Sequence, residues 1–130
     1  MATVHLEVHV AADPSTIWDA LRDWSRPHKR LVPGFVTDAH LDGTDRIVTF
    51  YNGAVAREAL ITLDDDARRL VWSVVGPPYA HHNASASVVP DNAGARFVWI
   101  ADFTPDDLVG RIRPMMERGI AVIKETLEAA

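Results

Sequence analysis

Cysteine is absent from this 130-residue chain. That excludes disulfide bonds, thiolate nucleophiles and cysteine-held metal sites. No apolar run approaches the roughly 18 residues of a membrane-spanning helix. The opening Met1-Ala2-Thr3-Val4-His5-Leu6-Glu7 lacks the basic stretch and apolar core of a secretion signal. Together these absences predict a cytoplasmic protein without a membrane span. Basic residues occur singly or in pairs such as Lys29-Arg30 and Arg68-Arg69, and the formal net charge is -5. A nucleic-acid partner, which needs a basic face, is therefore not expected, and the net acidity weakly disfavours anionic partners. There is no glycine-rich phosphate loop, no dinucleotide fingerprint, and no nucleophile elbow around Ser15 or Ser73. ATP use, nicotinamide use and serine-triad hydrolysis have no support, and no cofactor is expected. His5 and His9 share a strand face but have no third ligand at suitable spacing, so no metal site is predicted.

What is present is a regular succession of strands between helices. Val4 to Val10 alternates apolar and polar residues and reads as a first strand. Asp13 is suited to cap a helix whose first position is Pro14, with Ile17, Trp18 and Leu21 on one face. Pro27 interrupts it, and a second short helix is expected over His28 to Val32, ended by Pro33-Gly34. Six strands follow, over residues 35–41, 46–51, 55–63, 69–75, 81–89 and 95–103. The turns between them are Asp42-Gly43, Asn52-Gly53, Asp64-Asp65-Asp66, Gly76-Pro77-Pro78 and Pro90-Asp91-Asn92. Such short connections imply an antiparallel meander. The last segment is helical, with Thr104 expected as cap, Pro105 at the first position, and an apolar stripe from Leu108 to Leu127. Pro114 is expected to bend this helix or mark a break near Arg111. Helices do not alternate with strands, so a doubly wound α/β fold is disfavoured and an α+β fold is predicted.

The segments Ala12-Asp13-Pro14-Ser15-Thr16-Ile17-Trp18-Asp19-Ala20-Leu21-Arg22-Asp23-Trp24, Asp42-Gly43-Thr44-Asp45-Arg46, Arg57-Glu58-Ala59-Leu60, Leu63 to Leu70, Phe97-Val98-Trp99 and the closing Ile123-Lys124-Glu125-Thr126-Leu127 occur in a familiar order. Over essentially its whole length the chain resembles the polyketide cyclase/dehydrase and START-like (SRPBCC) superfamily. The resemblance implies the helix-grip fold shared with the birch pollen allergen and the plant abscisic acid receptors. That is a curved antiparallel sheet of about seven strands around a long C-terminal helix, with two short helices after the first strand. It implies one ligand-binding domain over 1–130, with a cavity between sheet and helix. Because one scaffold hosts unrelated functions, fold alone does not choose among carriers, receptors and cyclases.

Glu58 matches an acidic residue that faces the cavity in the hormone receptors. An inward carboxylate beside apolar walls suits acid–base work or ligand contact; alternatively it pairs with an arginine to hold the sheet. Arg46 is the natural partner. Counting residues across an Asn52-Gly53 turn puts Arg46 opposite Ala59, one register from Glu58, so the two share a face only if the turn length differs. Asn83, Ser85 and Ser87 share one face of their strand, and residues matching Asn83 and Ser85 line the receptors' cavities. His81 has the same parity and is preferred over His82 as a proton-transfer residue. Phe50, Trp72, Val74 and Trp99, with Met115 and Met116 on the helix, are candidate apolar walls. The Gly76-Pro77-Pro78-Tyr79 loop either gates the pocket, as the matching loop does in the receptors, or is a stiff turn.

The expected function is binding of a small hydrophobic or aromatic molecule, polyketide- or lipid-like. The alternative is a cyclase, aromatase or dehydratase using Glu58, His81 and Arg46. Nothing in the pattern specifies an oligomeric state.

Overall fold

The computed structural model describes residues 1–130. The chain runs β1 (Ala2–Val10), α1 (Pro14–Arg22), α2 (Pro27–Arg30), β2 (Val36–Asp42), β3 (Asp45–Phe50), β4 (Val55–Asp64), β5 (Arg69–Val75), β6 (His81–Asp91), β7 (Gly94–Thr104), a 3-10 turn over Asp106–Leu108, and α3 (Val109–Ala129). The seven strands form one antiparallel sheet in the order β1-β7-β6-β5-β4-β3-β2. Consecutive hairpins account for β2 to β7. The first strand closes the far edge against β7.

Local chemistry sets the helix boundaries. The Asp13 carboxylate accepts the Ser15 N–H at 2.8 Å, and Pro14 opens α1. Ile17, Trp18, Ala20 and Leu21 are its buried face. α2 is shorter than the sequence predicts, four residues. The Arg30 guanidinium donates to Asp19 at 2.6 Å and Asp23 at 3.0 Å and so ties the two short helices together.

The start of α3 departs from expectation. Thr104 does not cap it, because Thr104 still pairs with His81 in the sheet. Pro105 keeps extended backbone angles, and the chain then makes a 3-10 turn before α3 begins at Val109. Pro114 does not break the helix, which runs without interruption to Ala129. Its missing N–H deprives only the Gly110 carbonyl, and Gly110 is exposed, so water can serve that oxygen. Ile112, Met116, Ile120, Ile123 and Leu127 form the buried stripe that faces the sheet. Gly119 permits close approach: a Cβ there would lie 3.0 Å from the Trp99 ring and 3.2 Å from that of Phe35.

The concave face of the sheet carries the core. Val4 and Val10 of β1, Leu70 of β5, Val88 of β6 and Phe97 and Phe103 of β7 are essentially inaccessible. On the convex face Glu7 lies beside both His5 and Arg96.

Candidate functional site

The core does not fill the space between sheet and α3. A cavity of about 160 Å³ remains, and 21 of its 25 lining residues are hydrophobic. Small side chains create it: Ala56 on β4, Ala84 and Ala86 on β6 and Ala101 on β7 all line the void. In an interior packed to crystal-like density, alanines on the concave face leave room that larger residues would close. Phe50, Trp72, Val74, Trp99, Met115 and Met116 all lie along the wall. The Trp72 and Trp99 rings tilt against each other at 6.5 Å. The Trp99 indole N–H is buried without a hydrogen-bond partner.

Arg46 and Glu58 meet directly on this wall. The β3–β4 connection is not a two-residue turn. Gly53 N–H donates to the Phe50 carbonyl at 2.9 Å, Phe50 N–H donates to Ala54, and Gly53 takes the left-handed conformation at φ +85°. This is a three-residue loop with glycine at the position that needs positive φ. The added residue moves the register by one, so Arg46 pairs with Glu58 rather than Ala59. Both face inward and both are 7% exposed. Arg46 Nε donates to the Glu58 carboxylate at 2.7 Å and its Nη1 donates to the Trp24 carbonyl at 3.1 Å, while the guanidinium stacks 3.8 Å from the Trp24 ring centre. The charge of each is met by the other, and the pair locks β3, β4 and the exit of α1 together.

On β6 the sequence reading chose the wrong face. His81 is exposed, and Asn83 and Ser85 lie on the convex side away from the cavity. The inward set is His82, Ala84, Ala86 and Val88. The apolar members decide this, since Ala84, Ala86 and Val88 can be buried under α3 without unmet polar groups, whereas Asn83, Ser85 and Ser87 cannot.

His82, which sequence reasoning passed over, is 8% exposed and lines the cavity. The β5–β6 ladder ends at Trp72 and Ala84. Where the next backbone bond would fall, Val74 N–H donates instead to His82 Nδ1 at 3.0 Å, and the Ser73 hydroxyl donates to the His82 carbonyl. A backbone N–H can donate only to an unprotonated ring nitrogen. The neutral ring therefore carries its proton on Nε2. Burial, with His81 adding to it, lowers the His82 pKa to about 4. The Tyr79 ring packs edge-on against His82 at 4.8 Å and also lines the cavity. Burial pushes the Tyr79 phenol up, Arg111 opposes the shift, and Glu58 adds to it.

The cavity adjoins an outer vestibule of about 690 Å³ between the β3–β4 turn, the β5–β6 loop and the first turns of α3. Phe50, Val74, Tyr79, Ile112 and Met115 belong to both spaces and form the neck between them. Arg111 and Arg118 of α3 line the vestibule, and Arg118 lies 3.8 Å over the Tyr51 ring. Neither arginine was singled out from the sequence, because only folding brings α3 beside the turns at residues 51 and 77.

The family model described as polyketide cyclase / dehydrase and lipid transport matches residues 1–129. The chain belongs to that family. A protein from Thermobifida fusca is 30% identical, with a TM-score of 0.79 over 96% of this chain and 92% of that one. A START superfamily protein from Mycobacterium smegmatis is 13% identical with a TM-score of 0.78, covering 98% of this chain and 97% of its own. Truncated norcoclaurine synthase from Thalictrum flavum is 17% identical with a TM-score of 0.75, over 98% and 91%. No curated protein matches the sequence significantly. The family member described here thus has the START-like, helix-grip α+β architecture, and none of its helices is long and apolar enough to cross a membrane.

Proposed function

We propose that this chain binds a small hydrophobic or aromatic molecule in the cavity between the sheet and α3. The observation that carries the reading is the void itself, walled almost entirely by apolar side chains at a place where a soluble domain of this size ordinarily packs solid. Trp72 and Trp99 offer flat surfaces for a ring. His82, which lines the cavity with its proton on Nε2, is a donor for a carbonyl or hydroxyl oxygen. Arg46 and Glu58 form a polar patch in the wall whose charges cancel. Calorimetric titration with a panel of aromatic and aliphatic compounds tests the reading. Binding that is lost in Ala86→Leu, which fills the void, supports it; absence of binding by any member of the panel overturns it.

A second reading is acid–base catalysis on a polyketide-like substrate in the same cavity. The observation in its favour is that Glu58, Tyr79 and His82 line one space, and the neutral His82 ring has an Nε2–H that can donate a hydrogen bond to an oxygen on which negative charge develops. Turnover of a cavity ligand that disappears in His82→Asn, with affinity retained, would select this reading over simple carriage. Unchanged turnover in that variant would remove His82 from it.

A further inference from the structure

The inner cavity is too small for most of what the scaffold is expected to hold. About 160 Å³ is close to the roughly 150 Å³ of a dry apolar cavity that takes up one benzene molecule. A ligand of more than about one ring, or its equivalent in alkyl chain, must therefore continue through the neck at Phe50, Tyr79 and Met115 into the vestibule.

The vestibule has a different chemistry. Its lining contains Arg57, Arg111 and Arg118 and no aspartate or glutamate. Arg57 is already satisfied, donating to Asp45 and Asp42 at 2.8 Å each on the convex side. Arg111 and Arg118 have no carboxylate within salt-bridge distance, although every other arginine near the cavity has one. They lie two helical turns apart, on the face of α3 that also presents Met115 to the neck. Arg118 is held over Tyr51, which keeps its guanidinium near the opening. A protein of net charge -5 thus places two uncompensated cations at the mouth of an apolar hole. The field that an entering molecule meets is set by those neighbours rather than by the sum over the chain.

We propose that the ligand is an amphipathic anion, with a ring-sized apolar end in the inner cavity and a carboxylate or phosphate in the vestibule between Arg111 and Arg118. This rests on the cavity-binding reading and narrows it: it excludes a multi-ring neutral molecule wholly enclosed beneath α3. Guanidinium donors pair with either head group through charge-assisted hydrogen bonds.

The test is calorimetric titration of the full chain with 4-phenylbutanol, 4-phenylbutyrate, 4-phenylbutyl phosphate and 4-phenylbutylamine, which share one apolar end. At low ionic strength one or both anions should bind about tenfold more tightly than the alcohol, as expected for a charge-assisted pair. The advantage should shrink as salt is raised, and the tighter of the two anions identifies the head group. In Arg111→Gln/Arg118→Gln, with folding checked by circular dichroism, the advantage of the anions over the alcohol should disappear. If all four probes bind alike, or the amine binds best, the anion inference falls while the cavity reading stands. An anion advantage that survives the double substitution overturns the placement of the head group. If no probe binds, the alcohol included, the cavity reading falls as well.

Discussion

The inner cavity and the vestibule that adjoins it handle positive charge in opposite ways. Deep in the fold, Arg46 is 7% exposed and fully engaged by Glu58, the Trp24 carbonyl and the Trp24 ring. At the mouth, Arg111 and Arg118 are exposed and lack a carboxylate partner. A charge removed from water must be met by protein, because the desolvation penalty is several kcal/mol per ion; a charge at the surface is free to meet something that arrives. The arginine of the wall holds the architecture, and those of the mouth are available for recognition.

Removing one member of the inner pair is the most direct way to break this contrast. Glu58→Leu leaves Arg46 buried and unanswered and should cost about 3–5 kcal/mol in urea denaturation. Replacing both, Arg46→Leu with Glu58→Leu, should recover much of that loss. A cost below about 1 kcal/mol for the single change would mean the pair is solvated like a surface one.

Acid probes the same wall at His82. The folded protein keeps this ring neutral down to about pH 4, whereas in the unfolded chain it takes a proton near pH 6.5. Between these values the unfolded state binds more protons, so stability should fall as pH drops through the window and level off, for this group, below it. At about 1.4 kcal/mol for each pH unit, the loss is at most roughly 3.5 kcal/mol. His82→Asn, which keeps an acceptor for Val74 N–H but does not titrate, should flatten the profile. A wild-type profile already flat between pH 6.5 and 4 would contradict the buried neutral ring.

Filling the void sharpens the contrast further. Ala86→Leu should cost no more than about 1–3 kcal/mol, and that only where the added side chain is forced off its preferred rotamers, while ligand affinity falls far more than stability does. Retained affinity would place the ligand elsewhere. The smallest effect is expected at the mouth. Arg111→Gln should change stability by no more than about 0.5 kcal/mol in thermal or urea denaturation, and a larger loss would mean that it braces the fold.

Much of the frame was legible because local chemistry determined it. Asp13 and Pro14 start α1 as a cap and first-turn proline should, and the turn residues mark all six later strands within a residue or two. The site was less legible because its features depend on single-residue differences and on tertiary approach. Asn52-Gly53 is compatible with a two-residue or a three-residue hairpin loop, and the choice decides whether Arg46 meets Glu58 or Ala59. On β6 the alternation was plain but the inward set was not. Weighting the polar residues Asn83 and Ser85 by resemblance to the receptors overrode the simpler rule that Ala84, Ala86 and Val88 seek the interior. Once that parity is inverted, His82 replaces His81 without further argument. The pairing of Arg118 with Tyr51 joins residues far apart in sequence, and no local pattern announces it.

The four alanines of the void bear on how such a chain diversifies. Ala56, Ala84, Ala86 and Ala101 occupy four places on three strands whose backbone pairing is indifferent to side-chain size. Each would act as an adjustable stop: a methyl or two added at one of them would shorten any guest that fits, while the scaffold outside stays as it was. Selectivity by length would then change through substitutions at those four positions alone, if the void holds a guest as proposed.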